Sequence, residues 1–390
     1  MRIFIYIIVL VLTSYDIFAF TKVNGKMTID GYEREFIVTK PDGTPPAGGY
    51  PVVFMFHGTS GDGEKFFNVS GWKEKGDKEN FVCVFPSSLR WCFIDDGVEK
   101  NNTKWICGDL VDSLCPQEEI VDDIKFVRAM IDTLVNNYPI DRSRIYGTGF
   151  SNGGCFTSKM AVEASELFAA LHAAGGGLHR LDSGDAVKNL PVWFSFGTKD
   201  DRFYNAVGLP ELPFNDTTFA LFGGLLRRYC HSLGLTYTSY EREETPITIT
   251  LIFKTPGPVD VNNPTQTETT EFRATLMKDL AHEYPNGNNY PFAAADVLWE
   301  FFKQYTLTTD VQDNTLSDNI IISPIPADDF IEIRGIESAD IKIYDLIGNM
   351  LLTGNHRISS KIDVGSLSSG VYLLEIKSGN ESVFKRIIIK

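Results

Sequence analysis

Two apolar runs, YPVVFMF from Tyr50 and FVCVFP from Phe81, lack polar alternation and end in turn residues. Uninterrupted runs of this length predict strands buried on both faces, as in a parallel sheet. Upstream, MTIDGYEREFIVTKPDG alternates apolar with polar and ends in Pro-Asp-Gly, which predicts antiparallel strands closed by turns. Downstream the period changes. In PQEEIVDDIKFVRAMIDTLVNNYPID, residues Ile120, Ile124, Val127, Met130, Ile131 and Leu134 recur at helical spacing, with Pro116 opening the helix and Pro139 ending it. SRIYGTGF then reads as a strand, NGGCFTSKMAVEAS as a helix, and FAALHAAGG and PVWFSFGTKD as strands. FALFGGLLRRYCHSLGL reads as one helix, TEFRATLM as a strand, and FAAADVLWEFFKQY as a closing helix. Strands alternating with helices predict an α/β fold: a mainly parallel sheet with helices on both faces.

The pattern breaks at TLTTDVQDNTLSDN, a Thr/Asp/Asn-rich linker. Beyond it only short strands are predicted, among them ADIKIYDLIGNMLLTG, GVYLLEIKSG and SVFKRIIIK, separated by Gly, Asn and Ser turns. That spacing predicts a small β-sandwich. At the other end, Arg2 precedes the apolar run Ile3 to Leu12, and Ala19 is a small residue suited to a cleavage site. The run is too short to span a bilayer, which takes ~20 residues, and it reads as a secretory signal peptide. The expected organisation is a signal peptide over 1–19, an α/β domain over 20–306, a linker over 307–318 and a β-sandwich over 319–390.

The 390 residues carry a formal net charge of −15 and no Lys/Arg cluster interleaved with aromatics. Nucleic acid and anionic membranes are poor partners for such a surface, and no membrane span is expected. Export permits disulfides. Of the six cysteines, Cys107 and Cys115 share a polar loop and form the expected pair, while Cys83 lies within a strand and is expected to be buried. No C-x-x-C and no Cys/His metal spacing occurs. A phosphate-binding loop, H-E-x-x-H and calcium-loop spacing are absent too, so neither metal nor cofactor is expected.

The candidate chemistry lies in RIYGTGFSNGGCF, where Ser151 sits between Gly149 and Gly153 at a predicted strand's end. Small residues two before and two after a serine permit a strained turn that holds the hydroxyl outward. A serine hydroxyl needs a base, and the base needs an acid to fix its tautomer. Of the six histidines, His282 alone follows a predicted strand late in the chain, ahead of the last helix; His172 lies in an apolar strand and reads as core. Asp200 ends PVWFSFGTKD and is the expected acid, with Asp201 as the alternative. Backbone N–H groups of Asn152, just after the serine, and of Thr59, in FMFHGTSGDGE, are the expected oxyanion donors. The adjacent Asp122 and Asp123 read as a helix face, packed near the turn or solvated. Trp72, Trp91, Phe93 and Trp105 are divided between core and cleft.

The blocks FMFHGTSG, WICG…EEIVDDIKFVRAMIDTL, IDRSRIYGTGFSNGG, FGTKDD and LAHEYPNG…AADVLWEFF together resemble the secreted polyhydroxybutyrate-depolymerase-like esterases. These are α/β-hydrolases allied to the feruloyl and acetylxylan esterases of carbohydrate esterase family 1. The resemblance covers about residues 27–305. It implies ester hydrolysis by a triad of Ser151, Asp200 and His282 on a polysaccharide-linked or polymeric substrate. Feruloyl or acetyl esters on xylan come first, and polyhydroxybutyrate second. Ala281 and Glu283 stand where the family usually has glycine and threonine, which sets a carboxylate beside the base in sequence. A non-catalytic binding protein on the same scaffold is the alternative of another class. The C-terminal blocks IKIYDLIGN and LSSGVYLLEI look like the type A sorting domain of the type IX secretion system of Bacteroidetes. That likeness implies the secretion machinery as a partner, and an extracellular or surface-attached protein.

Overall fold

Strand β3 (Tyr50–Phe56) shows why the apolar runs do not alternate with polar residues. Val52, Phe54 and Phe56 enter one hydrophobic cluster and Val53 and Met55 another, on opposite faces of the sheet. The computed structural model describes residues 20–95, 97–254, 270–307, 321–324, 326–334, 336, 338–345, 349–357, 361–378 and 381–390. The expected signal peptide, and all but the first residue of the expected linker, lie outside the described residues. The chain divides into two units, 1–307 and 308–390.

The first unit opens with β1 (Phe20–Ile29) and β2 (Tyr32–Pro41), followed by β3. Next come α1 (Gly63–Val69), α2 (Trp72–Glu79), β4 (Val82–Pro86) and a separate hairpin of β5 (Arg90–Asp95) and β6 (Val98–Thr103). Helices α3 (Leu110–Ser113) and α4 (Asp123–Asn137) lead to β7 (Ile140–Phe150), α5 (Asn152–Glu163), β8 (Ala170–Ala174) and β9 (Val192–Lys199). Then follow α6 (Asp201–Ala206), α7 (Asp216–Leu221) and α8 (Gly223–Ser232). Strands β10 (Glu241–Glu244), β11 (Thr248–Lys254) and β12 (Glu271–Ala281), with helix α9 (Ala294–Phe302), complete the unit.

Ten strands form one sheet in the order β1-β2-β4-β3-β7-β8-β9-β12-β11-β10. From β4 to β12 every pairing is parallel; the strands at both edges pair antiparallel. Apolar residues of α4, α5 and α8 cover one face and those of α1, α2 and α9 the other. This is the α/β-hydrolase arrangement, with every parallel strand end raised toward the same edge.

Three sequence expectations are corrected. The helix expected from Pro116 begins at Asp123, because the Asp122 side chain accepts from the Ile124 N–H and caps it there; Ile120 is exposed. FALFGGLLRRYCHSLGL is two helices, since Phe222 leaves helical geometry ahead of the Gly223–Gly224 pair. The disulfide joins Cys92 to Cys115, not Cys107 to Cys115. Hairpin strand β5 carries Cys92 to the 114–115 segment, where the Cys115 N–H donates to the Cys92 carbonyl at 3.0 Å, while Cys107 is buried elsewhere. Cys83 is buried, as its strand position implied.

Of the two adjacent aspartates, Asp123 is fully enclosed and meets Arg34 of β2 at 2.6 Å. Its other oxygen accepts from the Ile106 N–H at 2.7 Å, and the Arg34 guanidinium lies 4.2 Å from the centre of the Phe126 ring. Burial pushes the Asp123 carboxyl up, opposed by Arg34 and the Ile106 N–H.

The second unit contains β13 (Ile321–Ser323), β14 (Phe330–Arg334), β15 (Ser338–Tyr344), β16 (Met350–Arg357), β17 (Lys361–Asp363), β18 (Gly370–Ser378) and β19 (Glu381–Ile389). They form a three-stranded sheet, β13-β14-β17, and a four-stranded one, β16-β15-β18-β19, all antiparallel. Alternate residues of both sheets, such as Ile331, Ile333, Ile341, Ile343, Leu374 and Ile387, share one core.

Candidate active site

Ser151 is the single residue between β7 and α5, at φ 55° and ψ −119°, a left-handed value a serine adopts only under constraint. The flanking glycines make the turn possible. A Cβ on Gly149 would stand 2.1 Å from the Gly153 carbonyl oxygen, and one on Gly153 2.3 Å from that of Phe56.

Two neighbouring strand ends bring the other groups. Asp200 follows β9 and caps α6, where its Oδ1 accepts from the Arg202 N–H at 3.0 Å; it is 1% exposed, whereas Asp201 is exposed. His282 follows β12, whose end is tied to β9 by an Asp279 N–H to Thr198 Oγ1 bond of 2.8 Å. His282 Nδ1 lies 2.9 and 3.0 Å from the two Asp200 oxygens, and Nε2 lies 2.8 Å from Ser151 Oγ. An ionised carboxylate only accepts, so Nδ1 carries the proton and Nε2 is left to accept from the serine hydroxyl. Thus Ser151, His282 and Asp200, 131 and 82 positions apart in the pairs they form, meet in one hydrogen-bonded line. Glu283 is exposed and accepts from the Asn289 side-chain amide.

The loop after β3 closes on the serine from the other side. Its Gly58 approaches so near that a Cβ there would lie 3.1 Å from Ser151 Cβ, and Thr59 borders the same cleft as Ser151 and His282. His57, which sequence reasoning left without a role, orders this loop. The Ser88 N–H donates to its Nε2 at 3.0 Å, so Nδ1 bears the proton and donates to the Gly58 carbonyl at 2.7 Å. In a trans peptide the C=O and the following N–H point to opposite sides. Holding the Gly58 carbonyl on His57 therefore turns the Thr59 N–H away from the imidazole.

Asn152 is the first residue of α5, so its N–H has no intrahelical acceptor. Its side chain accepts from the Trp105 N–H at 2.7 Å and donates to the Trp105 carbonyl at 3.1 Å and to Cys107 Sγ at 3.3 Å. Trp105 in turn donates from Nε1 to the His57 carbonyl at 2.9 Å. Trp72, Trp91 and Trp105 are all buried; of the four aromatics, Phe93 borders the cleft.

His172 bridges Thr148 Oγ1 and Ser195 Oγ, each at 2.9 Å, inside the sheet, as a core histidine. Burial pushes His57 down to about 4 and His172 down to about 3. Both stay neutral in the fold at pH values where the unfolded chain takes up a proton, so stability rises with pH between about 4 and 6.5. The expected slope from each is up to ~1.4 kcal/mol per pH unit. The urea midpoint should fall from pH 7 to pH 5, and fall less in His172→Gln; an equal drop in that variant would contradict the assignment.

Among the described residues, two clusters bring three potential metal ligands together: Cys92, Glu99 and Cys115, and Asp200, Asp201 and His282. The two cysteines are joined to each other, and Asp200 is committed to His282. No helix of the described residues is long and apolar enough to cross a membrane.

Residues 321–390 match the secretion system C-terminal sorting domain, and the chain is accordingly an exported one, extracellular or held at the cell surface. Over 293 residues it is 25% identical to the bifunctional acetylxylan esterase/xylanase XynS20E of Neocallimastix patriciarum, covering 72% of this chain and 35% of that protein. It is 28% identical over 175 residues to the poly(3-hydroxyalkanoate) depolymerase C of Paucimonas lemoignei, covering 44% of this chain and 38% of the relative. It is 28% identical over 152 residues to the poly(3-hydroxyoctanoate) depolymerase of Pseudomonas fluorescens, covering 37% and 51%. The chain thus spans between about a third and a half of the length of these curated relatives.

Proposed function

We propose that this α/β-hydrolase, carrying a secretion sorting domain at its C-terminus, is a serine carboxylic-ester hydrolase whose tail is read by the type IX secretion machinery. The observation that carries the reading is the unbroken hydrogen-bonded line from Asp200 through His282 to Ser151 on a strained turn. Ser151 Oγ attacks the ester carbonyl carbon while His282 Nε2 takes its proton. Asp200 keeps the Nδ1 proton in place and offsets the imidazolium charge. The N–H groups of Thr59 and Asn152 hold the oxyanion. Collapse of the tetrahedral intermediate expels the alcohol, protonated by His282, and leaves an acyl-serine. Water, deprotonated by His282, then releases the acid and restores the hydroxyl.

Feruloyl or acetyl esters on xylan are the favoured substrates. A concave cleft of about 520 Å³ with Phe93 and Phe150 in its wall supports them, as does the acetylxylan esterase relative. The two depolymerase relatives support a polyester as the second reading. The test is hydrolysis of methyl ferulate, 4-nitrophenyl acetate and polyhydroxybutyrate beside labelling with a fluorophosphonate. One label per chain, on Ser151, with loss of activity is expected. An unlabelled protein inert toward all three esters would instead support a non-catalytic binding role.

His57 acts as a positioning residue in this reading. His57→Ala leaves the Gly58 carbonyl held by the Gly61 N–H alone, at 3.0 Å, and is expected to lower kcat by up to about 10²-fold with KM little changed, the size of one lost oxyanion donor. His57→Asn, which keeps a donor, should recover part of it. A variant with kcat intact would remove His57 from the mechanism.

A further inference from the structure

The cleft beside Ser151 carries a charge that its surroundings do not. In a chain of net charge −15, the wall contributes Lys100, Lys104 and Arg202 against Asp95 alone, the Asp200 carboxylate being taken by His282. Asp95 is itself engaged by Lys100 at 2.7 Å across the β5–β6 hairpin. That leaves Lys104 and Arg202. Arg202 is exposed and sits 3.9 Å from Asp201, a contact of the kind that contributes little.

Lys104 is different. It is half-buried, its ammonium stands 4.0 Å from the centre of the Phe93 ring, and among the described residues it forms no ion pair. Its backbone is fixed on both sides, by its N–H to the Leu89 carbonyl and by Trp91 Nε1 to its own carbonyl. Burial lowers its pKa. Asp95 and Asp109 act on it only from beyond ion-pair distance, so a partly desolvated cation on the wall of a reactive cleft is suited to an anion that arrives beside it.

We propose that the substrate carries a carboxylate close to the scissile ester, as in an ester of an acidic sugar or of a dicarboxylic acid, and that Lys104 binds it, with Phe93 beneath the ammonium and Arg202 at the rim. This rests on the hydrolase reading of the cleft and specifies its substrate class. The β5–β6 hairpin supplies Phe93, Asp95 and Lys100 to the cleft wall, and the Cys92–Cys115 bridge ties it to the 114–115 segment.

Two matched pairs of esters test it. Mono-4-nitrophenyl succinate against 4-nitrophenyl butyrate sets the carboxylate on the acyl side; 3-acetoxybenzoate against phenyl acetate sets it on the alcohol side. In at least one pair the anionic ester should have kcat/KM about tenfold above its neutral partner, a ratio that falls as NaCl rises while the neutral ester stays flat. Lys104→Met should bring that ratio to about one or below. Preference for the neutral ester in both pairs, or a ratio unmoved by Lys104→Met, would overturn the proposal. Failure of the hydrolase reading looks different: no ester of either pair is cleaved and Ser151 takes no fluorophosphonate. The anion site is then read by calorimetric titration with monomethyl succinate. Binding lost in Lys104→Met supports it, and no binding to the wild type overturns it.

Discussion

Ser151→Ala is expected to lower kcat on 4-nitrophenyl acetate by about 10⁴-fold or more while leaving KM within a few-fold of wild type. The hydroxyl is the only group removed, and no other group on the turn can form the acyl bond. What activity survives comes from the oxyanion donors and substrate positioning alone. Asp200→Asn should come close to the same loss, because a side-chain amide favours the wrong imidazole tautomer. Asp201→Asn should behave as wild type, since Asp201 is exposed and touches neither His282 nor the serine in the structure's hydrogen bonds. A Ser151→Ala protein as active as wild type would reduce the turn to an ordinary glycine-rich corner.

The second large effect is on stability. Arg34→Met should destabilise the fold by about 3–5 kcal/mol, because it strands the fully buried Asp123 carboxylate with only the Ile106 N–H left to answer it. The double variant Arg34→Met/Asp123→Leu should recover most of that loss, since two apolar groups of similar size leave no charge behind. Urea midpoints of wild type, single and double variants measure both. A single variant within ~1 kcal/mol of wild type would mean that the pair is solvated in solution.

Much of this was legible in the chain because it depends on short-range pattern. The run YPVVFMF announces a strand covered on both faces, and its alternate residues do enter two separate cores. The stretch GTGFSNGG announces a turn too tight for a Cβ at either flank, and the contacts a Cβ would meet there bear that out. Position after the strand favours Asp200 over Asp201, and in the structure Asp200 is buried against His282 while Asp201 is exposed. Where the reading failed, a long-range contact decided. The disulfide went to Cys92 because a hairpin delivered it to Cys115, and nothing near Cys107 in sequence records that approach. The start of α4 was set by an Asp122 cap, which competed successfully against the apolar period that continued upstream to Ile120.

Local pattern was not enough for α1, α2, the β5–β6 hairpin or β10 and β11, but it was enough for the alternation of the central strands and helices, the change to short strands after the linker, and the residue types at the strand ends. These follow from periodicity, turn chemistry and the steric tolerance of glycine, all properties of a few adjacent residues. Which of those residues meet is a matter of the folded arrangement. It brought His282 to Ser151 across 131 positions, gave His57 a loop to hold, and set Lys104 in the wall of the nucleophile's cleft. The reason is physical: hydrogen bonds, desolvation and charge act between neighbours in space, and a parallel sheet makes neighbours of strand ends that the chain keeps far apart.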